Sequence, residues 1–190
     1  MIKSKKDLVD FLTADNRNYH LYHRFSILRR LNSSPISDNS VIWEYICTLR
    51  HCEWAINTGN KFFKLFYLWR LRKLSYKTGY QIPPNVAGKG LTLYHYGMII
   101  VNAEACLGEN CTIHPDVVIG KKDTNGNPPR IGNNVYICSG ARIIGDISIG
   151  DNTRIAPNTY IYKNTPPNCV ISGNPAYIVK KNGVKVNIKL

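Results

Sequence analysis

The sequence predicts an α + β chain, with an N-terminal helical region over residues 1–78 followed by a parallel β-helix over 79–181. Three observations predict it. The first region spaces its apolar residues by three and four. The second repeats an Ile, Leu or Val at every sixth residue. The repeat is broken once, at about 121–130, by a stretch rich in Asn, Gly and Pro. Residues 182–190 are read as a C-terminal tail.

The helices come first. "SKKDLVDFLTAD" places Ser4 where an N-cap belongs, ahead of helically spaced apolar residues. "NYHLYHRFSILRRL" continues in the same manner, and "NSSPISDNS" reads as a turn. "SVIWEYICTLRHCEWAINTGN" predicts a helix closing at Gly59, and "NKFFKLFYLWRLRKLSYKTG" one closing at Gly79. This last helix is apolar around most of its circumference. The expectation is burial between other helices or subunits. The less favoured alternative for residues 60–78 is a basic, aromatic helix lying on a membrane surface.

After "GYQIPPNV" the period becomes six. Val101, Leu107, Ile113 and Ile119 form one register. Ile131, Ile137, Ile143, Ile149, Ile155 and Ile161 form a second. Four residues after most of these comes a small or branched residue: Ala105, Cys111, Val117, Val135, Ala141, Ile147, Thr153, Thr159 and Thr165. Neither a helix nor an alternating strand has this period. A β-helix does, because each six residues make one flat side and one corner, with the branched side chain turned inward. The interruption "KKDTNGNPPR" is therefore expected to leave the coil as an extruded loop, and such loops commonly carry binding function.

At 190 residues the chain fits one domain, or one domain with a small appendage. Its net charge of +13 favours an anionic partner, such as a nucleotide cofactor, nucleic acid or an anionic membrane. No acidic residue lies between Glu53 and Glu104, whereas Lys61, Lys64, Arg70, Arg72, Lys73, Lys77 and Lys89 do. The six cysteines form no C-x-x-C and no metal-type pattern with the five histidines, so no metal is expected and buried reduced thiols are the reading. With no signal-peptide-like start and no run of the roughly 18 apolar residues that spans a bilayer, the expected compartment is the cytoplasm.

The stretch "LTLYHYGMIIVN" sets His95 between Tyr94 and Tyr96, just before the repeat begins. Taken alone, a paired surface or core histidine accounts for it. Together, "GKGLTLYHYGMIIVN", "GENCTIHPDVVIG", "IGNNVYICSGARIIGDISIGDNTRIAPNTYI" and "PPNCVISGNPAYIVKK" resemble the serine acetyltransferase branch of the left-handed β-helix acyltransferases over about residues 79–181. The helical leader is similar to the shorter one of capsule and exopolysaccharide O-acetyltransferases.

The resemblance implies a homotrimer that binds acetyl-CoA along grooves between neighbouring coils. It implies His95 as the catalytic base. A hydroxyl is a weak nucleophile at neutral pH, and an imidazole can remove its proton as it attacks the thioester. Gly120, Ala141, Pro157 and Asn158 match coil positions facing the cofactor groove. Lys163, Lys180 and Lys181 meet the CoA phosphates or form a solvated basic surface. His114 either assists or caps a turn, and Glu53 is the candidate carboxylate for orienting His95.

The departures bear on the acceptor. Where serine acetyltransferases have acidic residues, this chain has Tyr80 and Tyr94. Their arginine–histidine pair falls here at Asn127 and Pro128. Tyr80, Tyr94, Tyr96 and Asn127 are thus the expected acceptor-binding residues, suited to a sugar or glycan precursor rather than to serine. The alternatives are serine O-acetylation, and a non-catalytic trimeric scaffold or nucleic-acid binder. No nucleic-acid motif is present.

Overall fold

A computed structural model of the chain describes residues 1–19 and 39–190; most of the helix and turn expected at 18–40 lies outside the described residues. Helix α1 (Lys5–Asp15) begins with a reciprocal cap, in which the Asp7 N–H donates to Ser4 Oγ at 3.1 Å and the Ser4 N–H to Asp7 Oδ2 at 2.9 Å. Helix α2 (Asn39–Asn57) buries Ile42, Tyr45, Ile46, Leu49 and Cys52. Helix α3 (Lys61–Thr78) starts at an Asn60 cap and stops at Gly79, whose left-handed conformation closes the last turn.

From Tyr80 the chain winds as a three-sided coil. One side is a five-stranded parallel sheet of β1 (Tyr80–Gln81), β3 (Ile99–Val101), β6 (Val117–Gly120), β9 (Arg142–Ile144) and β12 (Tyr160–Ile161). The second side stacks β4 (Cys106–Leu107), β7 (Arg130–Ile131) and β10 (Ser148–Ile149). The third stacks β2 (Thr92–Leu93), β5 (Thr112–Ile113), β8 (Tyr136–Ile137), β11 (Arg154–Ile155) and β13 (Cys169–Ser172). All ten positions of the six-residue registers are buried, and so are all nine small or branched residues four places on. Registers match between turns: Ile113 pairs with Ile137, and Ile137 with Ile155. The sequence period thus becomes columns of like side chains along the coil interior. The expected loop leaves between Gly120 and Arg130, though Arg130 itself belongs to β7.

The three edges of the prism are built differently. On the edge between the second and third sides, Asn110, Asn134, Asn152 and Asn168 all have φ near +55°. Their side-chain amides donate one to the next at 3.2, 3.0 and 3.0 Å. Asparagine tolerates this left-handed conformation, and its amide can both donate and accept along the ladder.

The first turn of a β-helix exposes an open sheet edge, whose N–H and C=O groups need partners. Helix side chains supply them. Tyr45 pairs through its hydroxyl with the Ile82 N–H and C=O at 3.3 and 3.4 Å. The Tyr19 hydroxyl does the same for Leu93, at 2.6 and 2.7 Å. Asp15 Oδ1 accepts from the Gly90 and Leu91 N–H groups, and Glu53 from that of Asn85. Arg50, fully buried, bridges the two carboxylates at 2.7 and 3.0 Å and donates to the Ala87 and Gly88 carbonyls. Burial works against the Arg50 charge, but Glu53 and Asp15 outweigh it and hold its pKa above the ordinary value.

Two expectations are corrected here. Residues 182–190 are not a loose tail. β14 (Tyr177–Lys181) and β15 (Val184–Lys189) form an antiparallel hairpin that extends the third side past β13. Helix α3, expected to be buried between other helices or subunits, packs Leu71 and Leu74 inward and on the single chain leaves Phe62, Leu65 and Trp69 exposed. The buried-thiol reading fails for Cys106, which is exposed; Cys52, Cys111, Cys138 and Cys169 are buried. Burial pushes the Cys111 thiol up to about 11, so it stays protonated and inert. No described helix is long and apolar enough to cross a membrane.

Candidate active site

His95 lies on the edge between the third and first sides, where the chain passes from β2 to β3. Its φ is +53°, and it is the one residue at positive φ, among those described, that is not Asn, Asp or Gly. A larger side chain held in this region is a strained arrangement that persists only when its surroundings fix it. Three contacts fix this turn. The Gly97 N–H donates to the Thr78 carbonyl at 3.0 Å, the Asp116 N–H to the Met98 carbonyl at 2.6 Å, and the Tyr80 hydroxyl to the His95 carbonyl itself.

Helix α3 enters the same knot through its end. A Cβ on Gly79 would stand 2.9 Å from the Gly97 carbonyl, and one on Gly97 would stand 2.9 Å from Pro115 Cβ. Only glycine admits this approach. The helical region thereby holds the backbone under the histidine, while the His95 side chain remains exposed.

Beside it, aromatic rings form a connected row. Tyr94 stacks on His114 with centroids 4.9 Å apart. His114 Nε2 meets the Tyr136 hydroxyl at 2.6 Å, and the Arg154 guanidinium lies 4.2 Å from the Tyr136 ring centroid. Desolvation, then the neighbouring His95 and Arg154, lower the His114 pKa. These surroundings favour the neutral form of the imidazole that meets the Tyr136 hydroxyl.

The structure sorts the expected site residues as follows. His95, His114, Tyr94 and Tyr96 share one edge, with Pro157 and Asn158 exposed at the corner two turns below His114. Tyr80 is not an acceptor contact: it is fully buried, edge-on to Tyr45 at 5.1 Å, and its hydroxyl positions the His95 turn. Glu53 does not orient His95, because its carboxylate serves Arg50 and the Asn85 N–H. Ala141 points into the coil. Its N–H donates to the Cys138 carbonyl and its carbonyl accepts from the Val118 N–H, so it offers no group to a ligand.

Asn127, Gly120 and Lys163 lie elsewhere, at the edge between the first and second sides. Asn127 donates to Asp146 at 3.0 Å, and Pro128 is buried. An open depression of about 800 Å³ lies there beside Lys121 and Lys122. Lys180 and Lys181 are exposed on β14.

Sequence reasoning missed Tyr136 and Arg154. The signal was present in the register, since Tyr136 pairs with Thr112 and so sits diagonally from His114. Removing the Tyr80 hydroxyl tests the positioning role. Tyr80→Phe should cost about 1 kcal/mol of unfolding free energy, the net worth of one hydrogen bond. It should also lower kcat more than the KM for the donor. Urea unfolding together with steady-state kinetics checks both, and an unchanged kcat contradicts the role.

Comparison with known proteins gives a consistent set of matches. Residues 128–163 match the family model described as bacterial transferase hexapeptide (six repeats). A Staphylococcus epidermidis serine acetyltransferase is 33% identical over 144 residues, covering 72% of this chain and 67% of that protein. A Staphylococcus aureus serine acetyltransferase is 38% identical over 113 residues, 57% of this chain and 53% of that one. The chain thus spans about half the length of curated relatives such as the latter. Among solved structures, a Brucella abortus serine acetyltransferase superposes with a TM-score of 0.67 at 25% identity, over 93% of this chain and 70% of that one.

Proposed function

The chain belongs to the hexapeptide-repeat acyltransferase family, in the company of serine acetyltransferases, and from that premise we propose that it transfers acetyl from acetyl-CoA to a hydroxyl group with His95 as general base. The observation that carries this reading is the exposed His95 ring on a backbone held at positive φ by three contacts. In the proposed step His95 accepts the hydroxyl proton as the hydroxyl oxygen attacks the thioester carbonyl. Coil N–H groups stabilise the tetrahedral oxyanion. Collapse breaks the C–S bond, and the imidazolium returns its proton to the departing thiolate. No acyl-enzyme forms, so the cysteines have no part.

A left-handed coil assembled as a homotrimer fits this chemistry. In one chain the His95 edge and the loop edge, with Asn127, Gly120 and Lys163, are separated by the whole first side. A groove between two copies would bring one copy's histidine edge to its neighbour's loop edge. Pro157 and Asn158 would then line the pantetheine, and Lys163, Lys180 and Lys181 would be available to the CoA phosphates.

For the acceptor, the names of the relatives favour serine over the sugar that the sequence reading ranks first. A sugar hydroxyl, as in capsule or exopolysaccharide O-acetylation, is the second reading. It rests on Tyr94 and Tyr96, which flank the base with exposed rings rather than with charges for an amino acid's ammonium and carboxylate. Measuring CoA release with serine and with activated sugars separates the two. Serine turnover at kcat/KM of about 10⁴ M⁻¹s⁻¹ or more, an ordinary enzymatic efficiency, supports the first. Turnover with a sugar and none with serine transfers the assignment to the second.

A further inference from the structure

Helix α3 is apolar on two opposite faces. One face packs Tyr67, Leu71 and Leu74 towards the core. The other carries Phe62, Leu65, Phe66, Trp69 and Tyr76 in a stripe along the helix, at 75, 70, 43, 60 and 74% exposure. On a wheel of 100° per residue these five fall within a sector of about 100°, a width that suits docking on an apolar phase. The sequence places Lys73 in the same sector, with Lys77, Arg72 and Lys61 beside it. No acidic residue occurs in the helix or anywhere from 54 to 103.

We propose that this face of α3 docks in the plane of an anionic lipid surface, independently of the acetyl-transfer reading. Phe, Leu and Trp side chains would enter the acyl boundary while the lysine stems extend their ammonium groups to lipid phosphates. The charge decides against the other occupants. A second copy meeting this face through a two-fold contact would bring the same face to itself, so Lys73, Lys77 and Arg72 would enter an interface in which neither helix offers a carboxylate to pair them. Nucleic acid would satisfy the cations but not the stripe of Phe62, Leu65 and Phe66, which lies between them.

The test uses the full chain with vesicles of phosphatidylcholine alone and of phosphatidylcholine with about one third phosphatidylglycerol. Cosedimentation with the anionic vesicles and little with the neutral ones is expected, with the tryptophan emission moving to shorter wavelength. Lys73→Glu/Lys77→Glu should weaken binding by at least tenfold, since each lysine near an anionic surface is worth about fivefold. Phe62→Ser/Phe66→Ser/Trp69→Ser should abolish it. All three side chains are exposed, so the thermal transition should stay in place, and sedimentation equilibrium should give the same oligomeric state as the wild type. Failure of the wild type to bind anionic vesicles overturns the proposal. So does undiminished binding by the triple variant, or a triple variant that changes oligomeric state, which would show that another copy covers the face.

Discussion

His95→Ala is expected to lower turnover by roughly 10²–10⁴-fold, the usual contribution of a general base, while acetyl-CoA binding is retained. His95→Asn should fall as far, because an amide can hydrogen-bond the acceptor hydroxyl but cannot take its proton. The clamp predicts more than a side-chain effect. The His95 carbonyl is held by the Tyr80 hydroxyl whatever side chain occupies the position. Asparagine is at ease at positive φ, as at Asn110 and Asn134. His95→Asn should therefore be at least as stable as wild type and still be inactive. Initial rates of CoA release together with urea unfolding measure both quantities. Full activity in either variant removes the mechanism.

Arg50→Met should be the most damaging single substitution among the described residues. It leaves Asp15 and Glu53 buried without their cation and frees the Ala87 and Gly88 carbonyls at the open end of the coil. Breaking a buried pair from one side costs roughly 3–5 kcal/mol, a large share of the roughly 5–15 kcal/mol that holds a typical domain folded. Arg50→Lys should recover little, since one ammonium cannot reproduce the planar fork that meets two carboxylates and two carbonyls. Chemical denaturation of both variants measures the loss. A midpoint near that of the wild type would mean that the helices do not depend on this cluster to cap the coil.

The coil was legible because its rule is local and repeated. Every sixth side chain turns inward, so Val101 through Ile161 announce their burial by spacing alone. Ser4 and Gly79 mark helix ends by conformational preferences that need no tertiary partner. The errors fall where the decisive contact is distant in sequence. Glu53 has a place in the leader that suggests a partner for His95, but that place carries no information on what the helix crosses. Its actual partners, Arg50 and the Asn85 N–H, are set by how α2 crosses the first turn of the coil. By its place in the sequence Tyr80 belongs with the acceptor-site residues, but Tyr45 and the His95 carbonyl enclose it. Ala141 sits at a corner of the same edge as Pro157 and Asn158 and yet points inward, because it is itself one of the small residues of the repeat. For α3, composition revealed apolar residues on all sides but not which face a neighbour covers. The asparagine ladder was in plain view at 110, 134, 152 and 168, and it follows from the same periodicity once corners are compared as well as sides.

Acetyl-CoA is the ligand on which the assignments of His95, Pro157 and Asn158 all depend. Calorimetric titration of the wild-type protein with acetyl-CoA tests it most directly. Saturable binding that persists in His95→Asn is the predicted result. Absence of saturable heat at millimolar acetyl-CoA would contradict the acetyltransferase reading and leave a non-catalytic scaffold built on the same coil.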